Sequence, residues 1–115
     1  MALKFNFNYD IHTYWRNYEE RNIALGLKQL LTQNQVQTFS LVDIPIGPHP
    51  LPMFEAHVSA QRLPEIEALL LENKGSCSIL VHEKTGDHMY DHTQGARWLG
   101  EPLELNLEFL KNFPG

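Results

Sequence analysis

Three stretches of the chain alternate apolar and polar residues with the two-residue period of a β-strand. Residues 5–14 read FNFNYDIHTY, residues 54–60 read FEAHVSA, and residues 76–82 read SCSILVH. Because successive side chains of a strand point to opposite faces of its sheet, each stretch predicts a strand with one apolar face and one more polar face. Residues 36–43, which are rich in β-branched and aromatic residues, predict a further strand.

Two other stretches, over residues 16–32 and 64–73, carry apolar residues at the spacing of an amphipathic helix. Pro64 suits the first turn of the second helix, and Gly75 suits its end. The predicted order is β-α-β-β-α-β, the ferredoxin-like plan of an α+β fold with an antiparallel sheet. We expect a single domain of this type over residues 1–115, with a C-terminal extension.

The segments outside these elements predict loops and the extension. Residues 44–52, IPIGPHPLP, contain four prolines, which cannot donate to a sheet ladder, so a stiff loop is expected there. A second loop is expected after residue 83, followed by a short helical turn over residues 94–99. The alternating leucines of residues 103–109 predict a fifth strand or an extended tail.

Composition and charge exclude several classes of function. The formal net charge is −5, and lysine and arginine are scattered, which argues against a nucleic-acid partner. No apolar run has the length of a membrane span, and the first residues lack the apolar core of a signal peptide. The single cysteine, Cys77, excludes an internal disulfide and lies in the apolar phase of its strand, so it is expected to be buried. We therefore expect a cytoplasmic protein.

Three of the six histidines, His12, His57 and His82, occupy the polar phase of the alternating stretches. In the ferredoxin-like plan the strands that carry them are neighbours, about 4.8 Å apart, so their imidazoles could meet at one ion. Three imidazoles suit Zn(II), Fe(II), Ni(II) or Cu(II). With the helices on the apolar face, the histidine face is expected to stay open for a ligand or a second subunit, which favours a homodimer.

Other interpretations of these histidines stay open. A single histidine on a strand is more often a solvated or hydrogen-bonded surface residue than a ligand. Two histidines with one carboxylate would favour non-haem Fe(II) and oxygen chemistry. Asp10 and Glu55 share the phase of the histidines, so a carboxylate ligand or a carboxylate that orients a ligand is available.

The remaining histidines lie in predicted loops. His49 stands between two prolines, and this rigidity suits a positioned acid or base, although a loop histidine among turn-forming residues explains it equally well. His92 could orient a substrate or cap a helical turn. His88 is expected to be exposed, and Trp98 is expected to pack in the core or an interface.

The motifs YDIHTYW at residues 9–15, GPHPLPMFEAHV at 47–58 and LVHEKTGDHMYDHTQGARWLG at 80–100 can now be considered together. They resemble the DOPA 4,5-dioxygenase family of fungi and bacteria, the small extradiol ring-cleaving type. The resemblance runs from Tyr9 to about Leu110. One departure is Glu83, which stands where the family commonly has a proline.

The resemblance implies a non-haem Fe(II) enzyme that cleaves DOPA or a related catechol with dioxygen, between ring carbons 4 and 5, to a seco-DOPA-type product. Zinc or nickel could replace the iron in purified protein. Five histidines fall in family motifs: His12, His49, His57, His82 and His92. We assign the three strand histidines to the metal, and His49 and His92 to acid–base catalysis or substrate contact.

Two other functions stay open at this point. One is a non-catalytic ferredoxin-like dimer that binds a metal or a small aromatic ligand without turnover. The other is a zinc hydrolase or a metal-free isomerase on the same scaffold.

Overall fold

The structure, a computed structural model, describes residues 8–112. The strands are β1 (Tyr9–Tyr14), β2 (Gln37–Thr38), β3 (Met53–Val58), β4 (Ser78–Glu83) and β5 (Ala96–Leu99). The helices are α1 (Tyr18–Gln33), α2 (Leu63–Asn73), α3 (His88–Asp91) and α4 (Leu107–Lys111). Among them, no helix combines the length and the apolar character that crossing a membrane requires.

The five strands form one sheet in the order β2-β3-β1-β4-β5, with every neighbouring pair antiparallel. The first four strands have the ferredoxin-like order, which confirms the predicted α+β fold. The added strand β5 pairs with β4, on the edge that this plan leaves open. The central strand β1 therefore lies between β3 and β4, the two other strands that carry histidines.

The apolar phases of the central strands pack beneath the helices, as predicted. Ile11, Phe54 and Val81 point to this side and are at most 1% exposed. They join the buried face of the two long helices in one cluster, whose helical members include Ala24, Leu27, Leu31, Leu63, Ile66 and Leu70. Cys77 is fully buried, as expected.

Strand β2 is shorter than the predicted strand over residues 36–43. Thr38 pairs with Ala56, and Val42 then forms an isolated bridge with Met53. The chain thus advances four residues on one side and three on the other, and this extra residue breaks the regular ladder as a bulge does. The first part of the strand predicted over residues 5–14 lies outside the described residues.

Two C-terminal predictions are wrong. The turn predicted over residues 94–99 is strand β5, and the helical turn is α3, because Asp87 caps it by accepting from the Tyr90 amide. The segment predicted over residues 103–109 as a fifth strand or an extended tail contains no strand, because residues 102–106 are irregular and Leu107–Lys111 form α4. Instead the chain turns back over the sheet and ends its described part with α4.

The histidine face of the sheet is covered along part of its length, which corrects the expectation of an open face. Tyr14 and Leu80 are fully buried there, with Trp98, Leu103 and Leu105 packed against their cluster. The Asn106 amide donates to the Pro48 carbonyl oxygen at 2.8 Å, which joins the returning chain to the proline-rich loop. The reason given for a homodimer is therefore weakened, and the dimer stays a prediction.

Candidate active site

The register of the three central strands decides which polar side chains meet. Asp10 on β1 lies opposite His57 on β3 and opposite His82 on β4. His12, two residues further along β1, lies opposite Glu55 and Leu80. Asp10 therefore stands between His57 and His82 in one row across the sheet, while His12 belongs to the next row.

His12 and His82 form a close, buried pair. Their Nε2 atoms are 3.1 Å apart, and their rings stack with centroids 5.1 Å apart. Asp10 is adjacent, with its Oδ2 3.8 Å from His82 Nε2. One ligand atom from each of these three residues lies within 4.8 Å of the others. This set of two histidines and one carboxylate is the one typical of non-haem Fe(II) oxygenases.

His57 lies in a neighbouring group instead. Its Nε2 is 2.6 Å from Oε2 of Glu55 and 3.1 Å from Oδ1 of Asp10. The physical reason is the register, which places the Asp10 side chain between His57 and His82. The assignment of His57 to the same ion as His12 and His82 stays a prediction, and the geometry favours Asp10 in its place.

The two loop histidines complete a ring of four imidazoles with the buried pair. The centroid of His49 is 4.3 Å from that of His12, and the centroid of His92 is 4.3 Å from that of His82. His49 and His92 are themselves 6.1 Å apart. The proline-rich loop supplies the first of these side chains and the end of α3 supplies the second. The structure thus brings together four of the five predicted site histidines.

In a neutral histidine, the hydrogen bond that Nδ1 makes determines whether Nε2 carries a proton. Nδ1 of His82 lies 2.7 Å from the Glu83 carbonyl oxygen, and Nδ1 of His92 lies 2.8 Å from the His88 carbonyl oxygen. A carbonyl only accepts, so each Nδ1 carries the proton and donates it. In the neutral form of each ring, Nε2 is then free to bind a metal or accept a proton.

Tyr14 is a site residue that the sequence interpretation did not assign. Its hydroxyl oxygen is 2.8 Å from Nδ1 of His49, and its side chain is fully buried. Burial raises the pKa of Tyr14 above its usual value, so the phenol is neutral at any physiological pH. The period of β1 contained the signal, because Tyr14 follows Asp10 and His12 at two-residue intervals.

The polar groups face a cavity of about 530 Å³. Asp10 and the four imidazoles line one side, and Phe109 and Leu110 of α4 supply apolar surface. His88 also lines the cavity and is half-buried, which corrects the expectation that it is exposed. A cavity of this size and mixed lining suits a small aromatic molecule with a few polar groups.

Burial favours the neutral form of all four imidazoles of the site. It holds the pKa of His12 well below the usual value, with further lowering by the charges of His49, His82 and His92. Burial, followed by the same kind of repulsion, lowers the pKa of His49 to about 4. Burial also lowers the pKa of His82 and that of His92. Neutral imidazole is the form that binds metal ions.

The site also contains buried polar atoms without a hydrogen-bond partner among the described residues. Nδ1 of His12 is one of the four such side-chain atoms, and Oδ1 of Asp10 is another, although it forms ion-pair contacts with Nε2 of His57 at 3.1 Å and Nζ of Lys84 at 3.8 Å. Burial, and after it the charge of Glu55, raises the pKa of Asp10 to about 6. A buried carboxylate in this position is costly unless a cation or a proton compensates it.

Comparisons with known proteins identify the family of this chain. The family model described as the Dopa 4,5-dioxygenase family matches residues 9–109. The chain belongs to this family. The recognised resemblance is thereby confirmed.

Two curated relatives are fungal. An uncharacterized 21.2 kDa protein of Botryotinia fuckeliana is 32% identical, over 90% of this chain and 63% of its own length. A DOPA 4,5-dioxygenase of Amanita muscaria is 31% identical, over 88% of this chain and 47% of its own length. The chain thus spans between about half and two thirds of the length of these relatives.

A crystal structure from Nostoc punctiforme shares the fold. The protein, provisionally named a dioxygenase, superposes with a TM-score of 0.86 at 31% identity. The match covers 96% of each chain. The overall fold is therefore shared with a protein of almost the same extent.

Proposed function

We propose that this protein is an extradiol dioxygenase that opens the ring of DOPA or a related catechol, using non-haem Fe(II) and dioxygen. The observation that carries the proposal is the group of Asp10, His12 and His82 beside a cavity that accommodates one aromatic ring. Family membership supports the dioxygenase class. Extradiol cleavage, iron and the catechol are the proposed parts.

The residues present fit a metal ion. Two nitrogen ligands about 2.1 Å from one ion, at angles between about 90° and 110°, lie about 3.0–3.4 Å apart. The Nε2 atoms of His12 and His82 are 3.1 Å apart. The hydrogen bond from His82 Nδ1 to the Glu83 carbonyl oxygen is the kind that orients a metal-bound histidine. The buried carboxylate of Asp10 supplies the negative charge that a cation requires.

We assign the metal to His12, His82 and Asp10, with zinc or nickel as substitutes for iron in purified protein. Bound Fe(II) would polarise the catechol oxygens and give dioxygen a place beside the ring. Ring cleavage places both oxygen atoms of dioxygen in the product, so the reaction needs no external reductant. His49 and His92 face the same cavity and are proposed to exchange protons with the catechol or to orient it.

Oxygen uptake tests this function. Protein that is purified and loaded with Fe(II) under anaerobic conditions should consume one dioxygen per catechol when air is admitted, with a yellow ring-opened product. The His12→Ala and His82→Ala variants should lose both iron and uptake. His88→Ala is the matched control, because its ring lines the cavity outside the proposed ligand set, and it should retain iron.

Failure of the iron-loaded protein to consume oxygen with every catechol of a panel would contradict the dioxygenase proposal. The panel should include DOPA, 4-methylcatechol and a catechol with a longer carboxylate side chain. Stabilisation by a catechol without oxygen uptake would favour the non-catalytic binding protein instead. Zinc in freshly made protein, together with hydrolysis of an ester substrate, would favour the hydrolase.

A further inference from the structure

We propose that Tyr14 is a positioning residue that fixes the tautomer of His49, so that His49 presents a protonated Nε2 to the cavity. His82 and His92 present the opposite, unprotonated Nε2. The statement about the tautomer depends on the geometry alone. Its consequence for turnover rests on the proposed dioxygenase function.

The direction of the hydrogen bond follows from burial. The Tyr14 hydroxyl is fully buried and lies 2.8 Å from Nδ1 of His49. Within residues 8–112, Nδ1 of His49 is the polar atom with which this hydroxyl forms a hydrogen bond. If Nδ1 carried the proton and donated it, the hydroxyl hydrogen would be left without an acceptor in a buried site, which is unfavourable. Tyr14 therefore donates, and His49 accepts at Nδ1.

Both partners are held in place by the backbone around them. Tyr14 is the last residue of the central strand, paired with Met53 on one side and Ser78 on the other. The His49 amide donates to the Ile46 carbonyl oxygen at 2.9 Å in a tight turn. The backbones of both residues are thus fixed by the sheet and the turn, and the Tyr14 side chain is held further by its complete burial.

The proton that Nδ1 lacks must then reside on Nε2 of the neutral His49 ring. His49 lines the cavity and uses its Nδ1 for Tyr14, so we infer that this Nε2–H faces the cavity. The cavity therefore contains two kinds of imidazole nitrogen. His92 offers a lone pair, His82 directs its lone pair toward Nε2 of His12, and His49 offers a hydrogen bond.

The Nε2–H of His49 is positioned to stabilise negative charge in this cavity. Opening a catechol ring develops negative charge on oxygen, and a pre-oriented N–H that reaches this charge stabilises the transition state. The His49 ring is 4.3 Å from that of His12, so its donor lies beside the proposed ligands. We therefore expect His49 to act as a hydrogen-bond donor or acid, and Tyr14 to act through it.

The direct test is nuclear magnetic resonance of metal-free protein labelled with ¹⁵N-histidine, which distinguishes the two tautomers by their nitrogen shifts. His49→Gln assigns the His49 signals. We expect the Nε2–H form for His49, and the Nδ1–H form for His92 as an internal reference. Tyr14→Phe removes only the hydroxyl and should shift His49 toward the Nδ1–H form. Tyr18→Phe, at a residue that is 76% exposed, should change nothing.

Finding the Nδ1–H form for His49 in the wild-type protein would overturn the proposal. This measurement does not depend on whether any variant folds. An unchanged Nε2–H form in a folded Tyr14→Phe variant would overturn it as well. The histidine signals of the same spectra report whether that variant is folded.

A kinetic measurement separates this proposal from the proposed function. Removing an entire oxyanion donor costs about 10²–10³-fold in kcat. Loss of its orientation alone should lower kcat about tenfold, with KM and iron content nearly unchanged. Wild-type protein with the expected tautomers and no dioxygenase activity would contradict the function and leave the positioning role standing. If the wild-type protein is active, and the Tyr14→Phe variant has the same His49 tautomer and the same kcat, the positioning role alone would be contradicted.

Discussion

This small domain contains two buried polar clusters, one at the start of α1 and one on the histidine face of the sheet, and they differ in how completely their atoms are hydrogen-bonded. At the start of α1, the Glu20 carboxylate accepts hydrogen bonds from the Arg16 amide at 2.8 Å, from the Arg16 guanidinium and from the Ser76 hydroxyl. On the histidine face, Nδ1 of His12 has no hydrogen-bond partner within residues 8–112, and Oδ1 of Asp10 has no hydrogen bond there beyond its ion-pair contacts with His57 and Lys84. The first cluster connects elements of the fold, whereas the second has the incomplete bonding of a site that receives a ligand.

Loss of a proposed ligand should give the largest effect. His12→Ala and His82→Ala are expected to weaken Fe(II) binding by more than about 100-fold, since loss of an orienting partner alone costs 10–100-fold. The metal-free stability of His12→Ala should change little, because Nδ1 of His12 has no hydrogen-bond partner within residues 8–112, whereas His82→Ala also removes the hydrogen bond to the Glu83 carbonyl oxygen. Competition with a coloured chelator measures the affinity, and urea unfolding measures the stability. Wild-type affinity in both variants would remove the ligand assignment.

Disruption of the satisfied cluster should give the opposite pattern. Glu20→Ala leaves the Arg16 and Ser76 donors without their acceptor, and we expect a loss of about 2 kcal/mol in the free energy of unfolding. Fe(II) affinity should stay at the wild-type value. The same urea and chelator experiments decide, and a loss of iron affinity in this variant would show that the two clusters are coupled.

His57 distinguishes the two interpretations of the strand histidines. It contacts Asp10 and Glu55, so His57→Ala should weaken Fe(II) binding only about tenfold, through the orientation of Asp10. Chelator competition beside His12→Ala gives the comparison. Equal losses in the two variants would instead support the prediction that His57 is itself a ligand.

Low pH should remove part of the contribution of Glu20 to the free energy of unfolding. This is the smallest of the four effects predicted for these clusters. Burial would raise its pKa, but hydrogen bonds from the Arg16 amide and the Ser76 hydroxyl, with the Arg16 charge, lower it below the ordinary 4.5 overall. A lowered folded-state pKa stabilises the protein above the unfolded-state pKa, and this contribution is lost as pH falls through the folded-state pKa. Urea unfolding of wild-type protein should show this loss below about pH 4.5, and Glu20→Gln should lack it. Identical pH profiles would exclude Glu20 as the source.

The sequence predicted which face of the sheet each side chain lies on, but not which residues lie opposite each other on neighbouring strands. A two-residue period assigns Asp10, His12, His57 and His82 to one face, and the structure agrees. Which of them meet depends on strand register, and register is decided by how the strands pair and turn. A shift by two residues would keep every side chain on its face of the sheet and yet change the partners of His57.

The sequence also did not predict that the C-terminal segment covers part of the histidine face. Leu103 and Leu105 alternate as a strand would, but they serve as apolar contacts for Tyr14 and Leu80 in an irregular segment. Their position depends on the chain turning back after β5 and on the Asn106 hydrogen bond to the proline-rich loop. Long-range contacts of this kind leave no periodic signal, so Tyr14 could be placed on a face but not recognised as buried beside His49.

The central claim is that the incompletely bonded cluster of Asp10, His12 and His82 is a metal site. Its most direct test is an anaerobic titration with Fe(II), followed by thermal unfolding of wild-type protein and of a His12→Ala, His82→Ala double variant. We predict one Fe(II) per wild-type chain, with a stabilisation of about 2.7 kcal/mol at a free Fe(II) concentration of 100 times Kd, and no stabilisation of the double variant. The absence of stoichiometric binding to the wild-type chain, or equal binding to the double variant, would contradict it.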